Sequence, residues 1–441
     1  MKAELRENLL TRLRSGQPRF PGIVGFDDTV LPHLERALLA GHDLVLLGER
    51  GQGKTRLIRT LIGLLDEWTP VIEGCEINDH PYEPVCVRCR RLAAESGDAL
   101  PVAWKHRDER YGEKLATPDT SVGDLIGDVD PIKVAEGRTL GDPETVHFGL
   151  VPRTNRGIFS INELPDLAER IQVALLNVLE ERDIQVRGYA LRLPLDVLLV
   201  ASANPEDYTN RGRIITPLKD RFGAEIRTHY PLELSTELDL IRQEAVFDGV
   251  EVPGHLLEVI ARFTRLVRDS TAVDARSGVS ARFAIAGAET VAAGALRRSA
   301  IAGEEQAVAR ICDLPSVVPT LLGKVEFEVS EEGREQEVLE HLLRRAIAET
   351  YRRTLGAADL TGLLDKFDAG ETVDTGELVP ASELLHRLGP VPGLAKLLER
   401  LDMTGDSPGQ AAAALEFALE GLFLTRRLSK DATDGRATYR T

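Results

Sequence analysis

Aromatic side chains are scarce in this chain: they make up 5% of 441 residues, and only two of them, Trp68 and Trp104, are tryptophans. Two scattered indoles offer no platform on which successive bases could stack. Positive charge is also short, with 54 Lys and Arg against 71 Asp and Glu, which leaves a formal charge of −17. A surface that negative repels phosphate backbones, so nucleic acid is not an expected partner. Four cysteines in this length exclude a disulfide scaffold. Apolar runs as long as Leu195–Ala203 fall well short of the roughly 18 residues that cross a bilayer, so no membrane partner is expected. Met1–Arg14 is charged throughout and has no apolar leader, and the expected location is the cytoplasm.

What is present is enough apolar material, 43% of residues, to bury a sizeable core. At roughly 150 residues per domain, the length suggests about three folding units. A charged helix and Gly/Pro linker are expected over 1–22. From 23 to 231, strand-like runs (Leu44–Leu47, Ile158–Asn162, Val197–Ala203 and a weaker Glu225–Thr228) alternate with helical segments. That alternation predicts an α/β unit, a parallel sheet with helices on both faces. Two stretches interrupt it as insertions, a Cys/Pro/His-rich one over 73–92 and a Gly/Asp/Pro-rich one over Thr117–Val151. Residues 232–314 read as a helical unit (Leu234–Phe247, His255–Arg268, Ala281–Ile301, Glu304–Cys312). Residues 315–441 read as a further α-helical region, with a Gly/Asp/Thr-rich joint at Asp368–Thr375 and a polar, frayed tail from Lys430.

The strongest motif is Gly48-Glu49-Arg50-Gly51-Gln52-Gly53-Lys54-Thr55, set between a predicted strand and a predicted helix. This is Walker A spacing in its required context. The glycines let the loop wrap closely, so that backbone N–H groups turn inward onto phosphate oxygens. Lys54 supplies a point charge to the terminal phosphates, and the Thr55 hydroxyl is a ligand for Mg²⁺. The site therefore takes a nucleoside triphosphate.

Such a site needs a second polar strand end. Ile158–Asn162 runs into Glu163, well placed as general base for an attacking water. Asn162 stands just before it, an amide able to accept from a metal-bound water but carrying no charge. Ala203-Asn204-Pro205 ends the next apolar run, and Asn204 suits a lytic water or a phosphate oxygen. Arg221, in Leu218–Gly223, and Arg282, after Ser280, are cations that, taken one at a time, surface salt bridges explain better than a functional role. Only their order along the chain gives them weight.

In that order, residues from Phe20 to about Arg298 resemble the AAA+ ATPases, within them the magnesium-chelatase I-subunit and MoxR-like branch. The resemblance rests on Gly22-Ile23-Val24-Gly25, Gly48–Thr55, Asn155–Phe159 leading into Asn162-Glu163, Ser202–Pro205, Leu218–Gly223 and Ser280–Arg282. It implies a P-loop AAA+ sheet followed by a helical lid, ATP and Mg²⁺ as ligands, and a homo-oligomer, a hexameric ring. Ile23 and Val24 would line the adenine pocket, Glu163 would be the catalytic carboxylate and Asn204 sensor 1. Arg221 would act across a subunit interface as an arginine finger, and Arg282 would be sensor 2. Asp183–Leu193 resembles the hairpin this branch inserts before sensor 1. A separate von Willebrand factor A protein is an implied partner. Asn162 departs from the family's aspartate, which bears on metal affinity and turnover. Two further readings stay open: the motor of a true magnesium chelatase acting on a porphyrin, and a nucleotide-bound assembly module with little turnover. A sigma-factor activator would need a Gly-Ala-Phe-Thr-Gly-Ala loop and a DNA-binding tail, and neither is found.

The first insertion carries Cys75, His80, Cys86 and Cys89, a C-x₄-H-x₅-C-x₂-C spacing. Three thiolates and an imidazole are the donors of a closed structural Zn²⁺ site. Incidental reduced thiols and a redox pair are the alternatives.

Overall fold

In the computed structural model, five strands form one parallel sheet: β1 (Leu44–Leu47), β2 (Tyr111–Leu115), β3 (Ile158–Asn162), β4 (Leu198–Ala203) and β5 (Ala224–Arg227), in the order β5-β1-β4-β3-β2. The structure describes residues 1–130, 132, 135, 145–180, 184–186, 189–191, 193–205, 213–274, 278–433 and 435–441. It divides into two compact units, Met1–His229 and Tyr230–Thr441.

The apolar runs become strands because both faces of the sheet are covered. Side chains alternate across a strand, so Val45 and Leu47 join one core while Leu44 and Leu46 join another. The second core is closed by helices α1 (Lys2–Ser15), α2 (Val30–Leu39) and α3 (Lys54–Thr60), through residues such as Leu5, Leu34 and Ile58. The first is closed by α4 (Glu169–Glu180) through Ile171, Leu175 and Val178. β1, β3 and β4 are buried along their whole length. The edge strand β2 was not anticipated: Tyr-Gly-Glu-Lys-Leu is polar and half-buried, and its place is fixed by pairing with β3.

The Cys-rich insertion is bracketed by an antiparallel pair, Trp68–Ile72 with Val102–His106, and contains the helix Val87–Ser96. In the second insertion Gly127–Val129 pairs with Val146–Phe148. Ile184–Val186 and Tyr189–Leu191 form an antiparallel pair at the expected hairpin, whose tip at 187–188 lies outside the described residues.

In the second unit one hydrophobic core runs from Ile241 to Tyr439, with no break near residue 314 where separate regions were expected. Its main helices are α5 (Leu234–Glu244), α6 (Gly254–Arg268), α7 (Ala281–Ala302), α8 (Glu335–Thr354) and α9 (Pro408–Leu424). Two expectations fail here. Glu304–Cys312 is not a helix: Ala307–Val308 pairs with Val250–Glu251, and a 3-10 turn follows at Ile311–Ser316. The cause is the buried Arg298 guanidinium, which collects Asp313 at 3.1 Å, Glu304 at 2.8 Å and the Val308 carbonyl at 2.6 Å, and so wraps the segment around itself. Nor is the tail frayed. Ser429–Thr433 and Arg436–Arg440 form a sheet with Val373–Gly376, the second half of the expected joint. Tyr439 is buried there and donates its hydroxyl proton to Glu420. Among the described residues no helix is long and apolar enough to cross a membrane.

Gly157 sets the entry to β3. A Cβ there would lie 1.9 Å from the Arg110 carbonyl oxygen, a backbone atom with no freedom to withdraw. Gly157→Ala is expected to cost about 1–3 kcal/mol of stability, read as a lowered urea midpoint; an unchanged midpoint contradicts this packing.

Candidate functional site

The C-terminal ends of β1, β4 and β3 lie side by side, and the site is built where they stop. After β1 the loop leaves with the Gly48 N–H donating to the Ala203 carbonyl at 3.2 Å. A side chain at Gly48 would fall 2.0 Å from Thr228 Oγ1 and 2.3 Å from Gln52 Oε1, so a Cβ there would have to displace both side chains. Those two atoms are themselves bonded, Thr228 Oγ1 donating to the buried Gln52 Oε1 at 2.7 Å. Gly51 and Gly53 take φ of +72° and +76°, in the left-handed region that favours glycine. Lys54 opens α3 and returns its ammonium to the loop, donating to the Glu49 carbonyl at 2.8 Å, to the Gly48 carbonyl, and to Asn204 Oδ1 at 2.8 Å. Thr55 follows in the first turn, half-buried, and Arg50 is exposed. A cavity of about 340 Å³ adjoins the loop, lined among others by Gly48, Glu49, Gln52, Lys219, Arg227 and Thr228. Ile23 and Val24 are half-buried between Gly22 and Gly25, and Ile23 packs on the α1–α3 core.

At the end of β3, Glu163 adopts φ +57°, rare for a residue with a side chain, and is exposed. Its N–H donates to Ser202 Oγ at 3.2 Å, tying it to β4. Strained backbone of this kind persists where surrounding structure enforces it, and it commonly accompanies a functional side chain. Asn162 is buried, and its amide donates to Glu113 Oε1 at 2.7 Å. Sequence reasoning missed Glu113 because its strand carries no apolar signature. Arg59 of α3 grips that carboxylate at 2.9 and 3.0 Å, and Tyr111 donates to it at 2.9 Å. The Arg59 hydrogen bond, ahead of the Tyr111 one, holds Glu113 below the usual carboxylate range. An aspartate at 162 would thus face an ionised neighbour at hydrogen-bond distance. The amide at this position has a physical reason.

Arg221 ends the helix Thr216–Arg221 and is one-third exposed. It donates to both oxygens of Glu180 at 3.1 and 3.0 Å and to Asp220 at 3.0 Å.

A family model described as the sigma-54 interaction domain matches residues 137–221, which include Asn162, Glu163, Asn204 and Arg221. The magnesium-chelatase 38 kDa subunit of Rhodobacter capsulatus is 27% identical over 285 residues, 58% of this chain and 73% of that one. The magnesium-chelatase subunit ChlI of a Nostoc species is 28% identical over 235 residues, 52% of this chain and 59% of that one. The chain is thus similar to the I subunits of magnesium chelatase. Among solved structures it is similar to a BchI–BchD magnesium-chelatase complex built on a cryo-EM reconstruction (TM-score 0.38, 21% identity, covering 73% of this chain and 98% of that one). It is also similar to NtrX from Brucella abortus in complex with ADP (TM-score 0.43, 13% identity, covering 82% and 71%).

The first unit thus brings together Gly48–Thr55, Asn162, Glu163 and Asn204. Arg282 belongs to the second unit, exposed in the first turn of α7, with Ser280 Oγ accepting its backbone N–H at 3.1 Å. The cysteine cluster is assembled differently from expectation. Cys75, Cys86 and Cys89 converge with Asp79, not His80: one donor atom from each of the four lies within 4.8 Å of the others. The His80 ring instead accepts the Tyr82 N–H at 3.2 Å and rests against the Tyr82 ring. Hydrogen bonds from Cys86 and Cys89 pull the Cys75 thiol well down, whereas the hydrogen bond with Cys75 pushes the Cys89 thiol up.

The Asn162–Glu113 contact predicts a double-mutant cycle. Asn162→Asp alone should destabilise the protein by about 1–3 kcal/mol, because two carboxylates are pressed together. Adding Glu113→Gln should recover most of that loss in urea unfolding. Additive losses would show that the two side chains are not coupled.

Proposed function

We propose that this chain hydrolyses ATP at interfaces between copies of itself in a hexameric ring, and uses the cycle to remodel or activate a partner protein. The observation that carries the reading is the convergence of the Lys54 ammonium, the loop and Asn204 beside an outward-turned Glu163. Lys54 and the loop amides would bind the phosphates, and Asn204 would orient the terminal one. The Glu163 carboxylate would hold the attacking water and accept its proton. The Thr55 hydroxyl would hold Mg²⁺, with Asn162 accepting from a metal-bound water; the ion would neutralise phosphate charge when bound. Ile23 and Val24 would border the base. Arg221, lent by a neighbouring copy, would stabilise charge developing on the transferred group, and Arg282 would couple the second unit to occupancy.

The match to a sigma-54 interaction domain takes in Asn162, Glu163, Asn204 and Arg221 but not the loop that carries Lys54. Residues 137–221 contain no Gly-Ala-Phe-Thr-Gly-Ala stretch, which favours the remodelling reading over contact with a sigma factor. A MoxR-like role, with a separate von Willebrand factor A protein as partner, is the form of it we favour. The names of the curated relatives favour a second reading, the ATPase motor of a magnesium chelatase. Reconstitution with chelatase subunits and a porphyrin separates the two. The uncharged Asn162 favours a third, an assembly module with little turnover. A structural metal in the Cys-rich insertion is no part of this ATPase chemistry.

Glu163→Gln should lower phosphate release on the order of 10²-fold or more while ATP is still bound. Equally slow release by wild type and variant would sink the motor reading. Arg221→Ala should also lose turnover, yet mixing it with Glu163→Gln should restore part of the rate. In the mixture, an intact Glu163 in one copy meets an intact Arg221 in the next. No recovery on mixing would place Arg221 outside the shared site.

A further inference from the structure

The segment between Ile72 and the helix Val87–Ser96 is short and polar, yet its backbone is tightly specified. Gly74 turns the chain at φ +70°, and the Cys75 N–H donates to the Ile72 carbonyl at 3.1 Å. The Asp79 N–H donates to Cys75 Sγ at 3.3 Å and the Cys89 N–H to Cys86 Sγ at 3.3 Å. Backbone N–H groups that donate to sulfur orient and stabilise thiolates bound to a metal. Asp79 is 1% exposed. Its Oδ2 accepts the Cys86 N–H at 2.9 Å, but its Oδ1 is buried with no hydrogen-bond partner among the described residues. A buried carboxylate oxygen left in that state among three sulfurs is costly unless a cation faces it.

We infer that Cys75, Asp79, Cys86 and Cys89 hold one structural Zn²⁺ ion as a closed Cys₃Asp site. Donor atoms within 4.8 Å of one another fit a single tetrahedral ion, for which Zn–S bonds of about 2.3 Å set donors about 3.8 Å apart. A four-iron cluster, which interposes iron and sulfide between its thiolates, would hold them farther apart. Three soft thiolates select zinc over magnesium or calcium.

The ion would act as a clip, not as a catalyst. Just before Asp79, Ile77 is buried in the core that β3 and α4 share, and Asn78 Nδ2 donates to the carbonyls of Arg153 at 2.7 Å and Asn155 at 3.2 Å. Asn155 Nδ2 donates back to the Ile77 carbonyl at 3.0 Å, and Arg156 Nη1 to those of Pro70 at 2.7 Å and Asn78 at 3.3 Å. Arg156 and Gly157 lead directly into β3. The metal therefore fastens the insertion to the turn from which the strand ending in Glu163 starts.

Metal analysis of the full purified chain, expressed with zinc supplied and desalted, tests this. About one zinc per chain is expected, released by a mercurial thiol reagent. Cobalt(II) substitution should give the intense visible bands of a tetrahedral thiolate site. Cys86→Ser, Cys89→Ser and Asp79→Ala should each retain at least tenfold less metal, whereas His80→Ala should keep the wild-type content. ATP binding by the variants serves as the folding control, with Asp79→Asn as a milder substitution if Asp79→Ala does not fold. Iron with labile sulfide in place of zinc, or no metal retained by wild type, overturns the proposal. So does loss of metal in His80→Ala with full content in the Asp79 variants.

Discussion

Three neighbouring parallel strands stop on the same edge of the sheet, and the candidate site depends on that single constraint. Because β1, β4 and β3 are adjacent and run the same way, their C-terminal ends deliver Gly48, Asn204 and Glu163 to one place from positions far apart in sequence. Burial on both faces fixes the register, since a slip by one residue would carry Val45 and Leu47 into the opposite core. Lys54 then crosses the gap between two of these ends, bonded to the loop carbonyls and to Asn204. The loop and the end of β4 are thereby one hydrogen-bonded object before any ligand is considered.

Charge on the other side of the site is distributed unusually. The negative charge missing from Asn162 sits one strand away on Glu113, where Arg59 and Tyr111 hold it ionised. Arg59 lies on the helix that the phosphate loop opens into, so the β2 edge and α3 are joined by the same ion pair. Reading residue 162 alone suggests a weakened metal shell. Reading it with Glu113 shows an amide chosen by its neighbour, able to donate to one carboxylate while its oxygen faces Ser202.

How much was legible in the sequence follows from how each element is stabilised. β1, β3 and β4 are buried runs of apolar residues, and their positions and the residues at their ends could be read directly. β2 is an edge strand whose polar residues are placed by pairing, so neither it nor Glu113 gave a signal. The 304–312 segment and the tail failed for a related reason. Arg298 and Tyr439 look like surface residues by type, and only tertiary packing turns them into buried anchors. In the insertion, spacing pointed to His80, but which of two adjacent residues faces the sulfurs is decided by the turn at Asn78, with φ +55°. Spacing carries no record of that angle.

The pairing of Arg221 with Glu180 bears on its proposed role as a residue lent to a neighbour. An arginine committed to a buried partner could not exchange it without leaving a desolvated charge behind. Arg221 and Glu180 are instead both partly exposed, and either can be rehydrated when the pair opens. Such a pair holds the guanidinium in an extended pose at the surface while resisting its withdrawal only weakly. Triphosphate oxygens offer the same planar fork a denser negative charge in a drier setting, and the exchange favours them. A surface salt bridge and the proposed interfacial finger are therefore compatible states of one side chain, and a second copy would select between them.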